Sequence, residues 1–233
     1  PEIKEDHEIY KQIFSLLRDL EIESFFYIGG NDSMDTIQKL SDYGHLVGSD
    51  IRFMGVPKTI DNDLSCTDHT PGYGSAAKFI AATAKEIIRD GLVYDIPSVT
   101  IMEIMGRNAG WLTGAAALAK GEDCEGVDLI CLPEVPFEPE AFLARVEELL
   151  REKKSVVIAV SEGITTADGK YVFELAESDS DANADAVDAF GHKQLSGVGK
   201  FLADLIAEKL EVKTRAIELN TLQRCAAYMT SRV

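Results

Sequence analysis

Ser24-Phe25-Phe26-Tyr27-Ile28, followed at once by Gly29-Gly30-Asn31-Asp32-Ser33, is the stretch from which the fold is read. A short continuous apolar run that stops abruptly at glycine has the form of a strand buried in a parallel sheet. Ser33 stands where a helix over residues 35–43 would take its N-cap. Before the strand, Ile9, Ile13, Leu16, Leu17 and Leu20 recur at helical spacing and mark an amphipathic helix over residues 5–20. Strand, glycine turn and helix start also aim backbone N–H groups at a phosphate. A bare glycine pair is weak evidence for that role, and the rest of the chain decides its weight.

Working outward, the same unit recurs. A strand is expected over residues 49–54, and its end carries Gly55-Val56-Pro57-Lys58-Thr59-Ile60-Asp61-Asn62-Asp63-Leu64. Here a lysine, a hydroxyl, an amide and two carboxylates crowd together, which is poor material for a core. A helix over 73–90 stopped by Gly91 leads to a strand over 98–104 that ends in Met105-Gly106-Arg107-Asn108-Ala109-Gly110-Trp111. A small-residue helix over 111–119 follows, in which Trp111 reads as a core aromatic. Further on come a strand over 129–132, a helix over 139–152 with Pro139 in its first turn, and a strand over 155–160 ending at Ser161-Glu162-Gly163. The alternate Asp179, Asp181, Asn183 and Asp185 imitate a calcium loop. Ala184 and Phe190 occupy the positions where that loop needs glycine and glutamate, so a solvated loop is expected. The pattern closes with a helix over 195–210, a strand over 214–219 and a helix over 222–232.

Strands separated by helices specify the α/β class, with parallel sheets flanked by helices. The polar groups gather at strand ends, where open parallel sheets bind ligands. Asp61 and Asp63 can serve one as proton acceptor and the other as a Mg²⁺ ligand, with Lys58 supplying positive charge. Periodicity alone leads to an anionic, phosphorylated small molecule as ligand. The change of loop chemistry at residues 70–72 is the expected domain junction.

A formal net charge of −17 excludes a nucleic-acid partner, which needs a basic footprint. No apolar run approaches the ~18 residues of a membrane span, so a soluble protein is expected. Cys66, Cys124, Cys131 and Cys225 form no C-x-x-C and read as buried or partly buried thiols in a reducing cytoplasm. His7, His45, His69 and His192 lack zinc-ligand spacing.

GGNDS at 29–33, PKTIDND at 57–63, MGRNAGW at 105–111, SEG at 161–163 and LQR at 222–224 occur in the order found in phosphofructokinases. The chain resembles that family over most of its length, and DAFGHKQL at 188–195 is similar to its pyrophosphate-using branch. The resemblance implies two Rossmann-like domains, the first incomplete. Residues 1–72 would be part of a phosphoryl-donor domain, 73–222 a sugar-phosphate domain, and 223–233 the start of a return to the first. Its implied reaction is phosphoryl transfer from pyrophosphate to the 1-hydroxyl of fructose 6-phosphate with Mg²⁺, in a cytoplasmic homo-oligomer with no membrane partner.

The resemblance also assigns roles. Asp61 would be the base, Thr59 and Lys58 its neighbours in catalysis, and Gly30, Asn31, Asp32 and Ser33 the donor-binding turn. Met105, Gly106, Arg107, Glu162, Arg215 and Arg224 would bind the sugar phosphate together with Thr59 and Asp61, one of the phosphate-binding arginines coming from a neighbouring subunit. Asp63 would shape the metal site. Asn31 stands where most relatives have an aspartate near Mg²⁺, which weakens it as a ligand. ATP-using relatives have glycine at the positions of Asp32 and Lys58. An acid at position 32 repels a nucleotide α-phosphate and a lysine at 58 suits pyrophosphate, which sets pyrophosphate above an ATP-dependent 6-phosphofructokinase.

Ser98 replaces an arginine common in the family, and Thr221 and Cys225 replace histidine and glycine. The family's N-terminal glycine-rich phosphate loop is expected before Pro1 and further chain after Val233, so this segment alone is expected to have little activity. A noncatalytic sugar-phosphate-binding module is the competing reading, and the presence of Asp61 with Lys58 argues against it.

Overall fold

Six strands and seven α-helices alternate along the chain among the residues that the computed structural model describes, which are 8–177, 197–226 and 228. Among these, two compact units divide between Thr59 and Ile60. The division falls ahead of the junction expected at residues 70–72. The reason is visible in the loop: Asn62 donates through Nδ2 to the Asp68 carbonyl at 3.1 Å and accepts the Thr70 N–H at 2.9 Å. These bonds close residues 62–70 into one turn, and Ile60 at its start packs against the core of the second unit.

The first unit runs α1 (Glu8–Asp19), β1 (Ser24–Gly29), α2 (Asn31–Leu46) and β2 (Arg52–Pro57). Its two strands are parallel, with Phe25 opposite Phe53 and Phe26 opposite Met54. Phe14 of α1 and Ile37, Leu40 and Tyr43 of α2 form a core against which Phe25 and Phe53 pack. The opposite sheet face holds Phe26, Ile28, Met54 and Val56, all exposed, Phe26 at 63%. The apolar run of β1 was expected to be buried on both faces. Only the face toward the helices is covered, because side chains alternate across a strand and the described helices of this unit pack on one side.

The second strand lies later than expected, so Gly55, Val56 and Pro57 belong to β2 and the polar loop begins at Lys58. Helix α2 starts at Asn31 with Gly30 at its N-cap, so Ser33 lies in the first turn and is not the cap.

In the second unit α3 (Tyr73–Leu92), β3 (Ser98–Ile104), α4 (Trp111–Gly114), β4 (Leu129–Cys131), α5 (Pro139–Glu152), β5 (Ser155–Ser161), α6 (Val172–Glu177), α7 (Val198–Leu210) and β6 (Lys213–Glu218) follow. The sheet order is β4-β5-β3-β6, and every pairing is parallel. Both faces are covered. Val99 and Ile101 of β3 with Val156, Ile158 and Val160 of β5 meet α5 and α7. Met102 and Ile104 with Val157 and Ala159 meet α3 and the α4 region. Each fully buried Ile stabilises by roughly 2 kcal/mol, which explains why near-continuous apolar strands sit here and not at a solvated face.

Several expectations give way in this unit. Gly91 does not stop α3, which runs through it to Leu92 with Val93 at the cap. The small-residue helix is one α-turn, Trp111–Gly114, followed by a 3-10 turn, Ala115–Ala119. Trp111 is 57% exposed and is no core aromatic, since Leu112 and Thr113 take the buried face of that turn. Residues 220–224 form a 3-10 turn where a helix was expected to begin. Cys66 and Cys225 are exposed, the first in the long connection between β2 and the next helix and the second at the end of the 220–224 turn. The acidic segment's alternate carboxylates, the DAFGHKQL stretch, the start of the 195–210 helix and the end of the 222–232 helix lie outside the described residues. Among the described residues no helix is long and apolar enough to cross a membrane.

Candidate active site

The carboxyl ends of β3 and β5 lie side by side, with Ile104 in register with Ser161, and the loops that leave them are interlocked. Ser161 is fully buried and its hydroxyl donates to the Gly106 carbonyl at 2.6 Å. The same oxygen accepts the Gly163 N–H at 3.1 Å. Gly106 donates its own N–H to Glu162 Oε1 at 3.2 Å. Two glycines make this approach possible. Gly106 has φ +137°, a conformation strained for any side chain, and a Cβ on Gly163 would lie 1.9 Å from the Arg107 carbonyl oxygen.

Glu162 therefore sits half-buried over the turn that carries Met105, Gly106 and Arg107. Its carboxyl is pushed up to about 7, first by burial, and then by the negative charges of Asp61 and Glu103 against the opposing pull of the Gly106 N–H and Arg107. The same balance places Asp61 and Arg107 within electrostatic reach of Glu162. The structure thus brings together Asp61, Met105, Gly106, Arg107 and Glu162, five of the residues expected to bind or act on the sugar phosphate.

Asp61 and Asp63 flank Asn62, which adopts φ +60° and is held by its bonds to Asp68 and Thr70. An amide in this left-handed conformation turns the chain, and asparagine tolerates it better than most side chains. Asp63 Oδ1 is buried. Two hard carboxylates two positions apart suit a divalent cation that keeps its remaining coordination for waters and substrate phosphates. Among the described residues no cluster of three or more His, Cys, Asp or Glu side chains could hold a metal by itself.

Arg224 closes the 3-10 turn Asn220–Arg224. Gln223 beside it is 2% exposed and joins that turn to the Met105 segment, accepting the Met105 N–H at 3.1 Å through Oε1. Arg215 is not brought to this end of the sheet. It is the third residue of β6, paired in register with Thr100, about 10 Å along the strand before its end. Its guanidinium bonds Asp90 on α3 at 3.2 Å.

The first unit carries the donor-side residues expected from sequence. β1 ends at Gly29 and α2 begins at Asn31, with no side-chain hydrogen bond capping the helix. Gly29 accepts the Lys58 N–H at 2.7 Å, so Lys58 leaves β2 beside the glycine turn. A Cβ on Gly29 would lie 2.1 Å from Ser33 Oγ, which explains the glycine. Asn31, Asp32 and Lys58 are exposed, Gly30 and Ser33 are partly buried, and Thr59 is buried.

Sequence reasoning quoted Gln223, Ser161 and Asn62 within motifs without giving them a role, and passed over Glu103. The last had a legible signal, a lone acid inside the apolar run of β3. Its buried carboxylate accepts the N–H groups of Gly199 at 2.6 Å and Gly197 at 3.3 Å at the start of α7. Burial nonetheless raises its pKa above the usual carboxylate value.

A family model described as Phosphofructokinase matches residues 1–230. The pyrophosphate–fructose 6-phosphate 1-phosphotransferase of Xanthomonas campestris is 40% identical over 99% of this chain and 54% of its own length. Two solved pyrophosphate-dependent phosphofructokinases have closely similar folds. That of Nitrosospira multiformis has a TM-score of 0.69 at 31% identity, over 96% of this chain and 51% of its own. That of Marinobacter aquaeolei has a TM-score of 0.66 at 34% identity, over 93% and 49%. The chain spans about half the length of the relatives it matches.

Proposed function

We propose, from the premise that the chain belongs to the phosphofructokinase family, that the protein carrying it transfers a phosphoryl group from pyrophosphate to the 1-hydroxyl of fructose 6-phosphate. The observation that carries this reading is the Gly106–Glu162 hydrogen bond at the ends of two adjacent parallel strands, with Arg107 following Gly106 and Asp61 near enough to raise the Glu162 pKa. A polyol acceptor needs a carboxylate to hold its hydroxyls, a base at the reacting one, and a cation at the moving phosphate. Glu162, Asp61 and Arg107 supply these three.

In the proposed step the sugar's 1-oxygen attacks the terminal phosphorus of pyrophosphate and its proton passes to Asp61. The bridging P–O bond breaks and inorganic phosphate leaves with the electron pair. Such transfer depends on positioning and charge neutralisation more than on covalent chemistry. Mg²⁺, held in part by Asp63, would supply further neutralisation of the phosphates. The turn at Gly30, Asn31, Asp32 and Ser33, with Lys58, would take pyrophosphate, the first unit serving the donor and the second the sugar phosphate. Arg224 would hold the 6-phosphate.

The homo-oligomer is inferred from the family resemblance, in which one phosphate-binding arginine comes from a neighbouring subunit, and Arg215 is the candidate for that role. Its position in the amino half of β6 and its pairing with Asp90 remove it from Glu162 of its own chain. This fits the reading in which it serves the 6-phosphate in a second copy. The preference for pyrophosphate over ATP rests on Asp32 and Lys58 and on the names of the relatives. The test is a donor-specific assay of the full-length protein with fructose 6-phosphate. Turnover with pyrophosphate is expected, and faster turnover with ATP would overturn the donor assignment.

A further inference from the structure

Gln223 is almost fully enclosed, and its amide links the two segments assigned to the sugar phosphate. Its Oε1 accepts the Met105 N–H at 3.1 Å, and its Nε2 donates to the Asn220 carbonyl at 3.1 Å. Asn220 opens the turn that ends at Arg224 and has φ +44°, a conformation that needs local support in a residue other than glycine. One planar amide therefore satisfies the backbone at the start of the 105–107 segment and holds the strained residue at the start of the 220–224 turn. The remaining polar walls of the adjoining cavity, of about 90 Å³, are Glu103, Glu162 and Glu218.

We propose that Gln223 is a positioning residue that locks the Met105–Arg107 segment and the Arg224 turn into one sugar-phosphate-binding edge; this rests on the functional reading above. An amide or a protonated acid can accept from one backbone group and donate to the other at this site. A carboxylate can accept from Met105 but repels the Asn220 carbonyl. A methionine fills the volume and makes neither bond. Both segments keep their side chains in these variants, so the loss falls on their alignment and not on the groups that touch substrate.

The test uses the full-length protein with Gln223→Met and Gln223→Glu. Gln223→Met should raise KM for fructose 6-phosphate about tenfold, the effect of one lost buried hydrogen bond, while KM for pyrophosphate stays within about twofold. Gln223→Glu should match it at high pH. Its KM, taken as a ratio to wild type, should fall toward one as pH drops and the new carboxyl, facing Glu103, Glu162 and Glu218, takes up a proton. Equal changes in both KM values, or a ratio for Gln223→Glu that does not move with pH, would overturn the proposal.

Amide hydrogen exchange separates this from the functional reading. Gln223→Met should speed exchange at Met105 and across 220–224 together, whatever the substrate. Faster exchange in only one segment overturns the coupling. Absence of transfer to fructose 6-phosphate in the wild-type protein overturns the functional reading instead.

Discussion

Gly106 donates its backbone N–H to Glu162 at 3.2 Å, and the Ser161 hydroxyl beside it holds the Gly106 carbonyl at 2.6 Å. Both backbone polar groups of Gly106 are thus held by two successive residues at the carboxyl end of β5. The Met105 N–H is taken by Gln223, so the amides of both residues are engaged within the protein. Neither N–H can reach a ligand without giving up its bond to Gln223 or Glu162.

Glu162 titrates in the physiological range, and two consequences follow from the sign of its shift. Its folded pKa of about 7 stands above the ordinary 4.5. Between those values the folded chain holds a proton that the unfolded chain has released. The stabilisation is complete below about pH 4.5 and is lost as pH rises through about 7. An ionised carboxylate is the stronger acceptor for the sugar hydroxyls of the proposed substrate, so affinity for fructose 6-phosphate should rise across the same interval. Glu162→Gln should flatten both profiles, read by thermal unfolding and by substrate titration from acidic to alkaline pH.

Asp61→Asn removes the proposed proton acceptor while preserving shape. The expected result in the full-length protein is a fall in kcat of roughly 10²–10⁴-fold with little change in fructose 6-phosphate binding. Steady-state kinetics beside calorimetric titration of the sugar phosphate separate the two. Undiminished kcat would remove Asp61 from the role of base.

Gly163→Ala should destabilise the fold, because its Cβ would sit 1.9 Å from the Arg107 carbonyl oxygen and that oxygen belongs to backbone. A loss of roughly 1–3 kcal/mol is expected from such overpacking, seen as a lower denaturation midpoint. Arg107 would be displaced with its backbone, so kcat should fall as well.

Asn62→Ala leaves the Thr70 N–H without its acceptor and places alanine at φ +60°. The cost in stability should be roughly 1–3 kcal/mol. Because Asp61 and Asp63 flank this residue, the Mg²⁺ concentration needed for half-maximal activity should increase. An unchanged metal dependence would separate the loop from the metal site.

Asp32→Gly combined with Lys58→Gly tests the donor assignment. Pyrophosphate use should weaken, measured as a lower kcat/KM for pyrophosphate at saturating fructose 6-phosphate. Unaltered kinetics would show that the glycine turn and Lys58 do not meet the donor.

The sequence alone determined the α/β class, the ends of β3 and the bounds of α5, because period and capping are local properties. Ser98–Ile104 is uniformly apolar apart from one acid and small polar residues, and Pro139 marks a helix start wherever it packs. It also placed Lys58, Arg107 and Glu162 in the loops that leave strand ends, which is where the strand bounds put them. Tertiary structure decided what those local signals leave open. Whether Phe26 and Trp111 are covered depends on what packs against a face, and neither is covered here. Arg215 and Arg224 look equivalent in sequence, yet strand register sets one in the amino half of β6 beside Asp90 and the other after its carboxyl end. Gln223 and Ser161 acquire their roles only when distant backbone arrives within hydrogen-bond reach, a contact between residues more than fifty positions apart that no local pattern encodes.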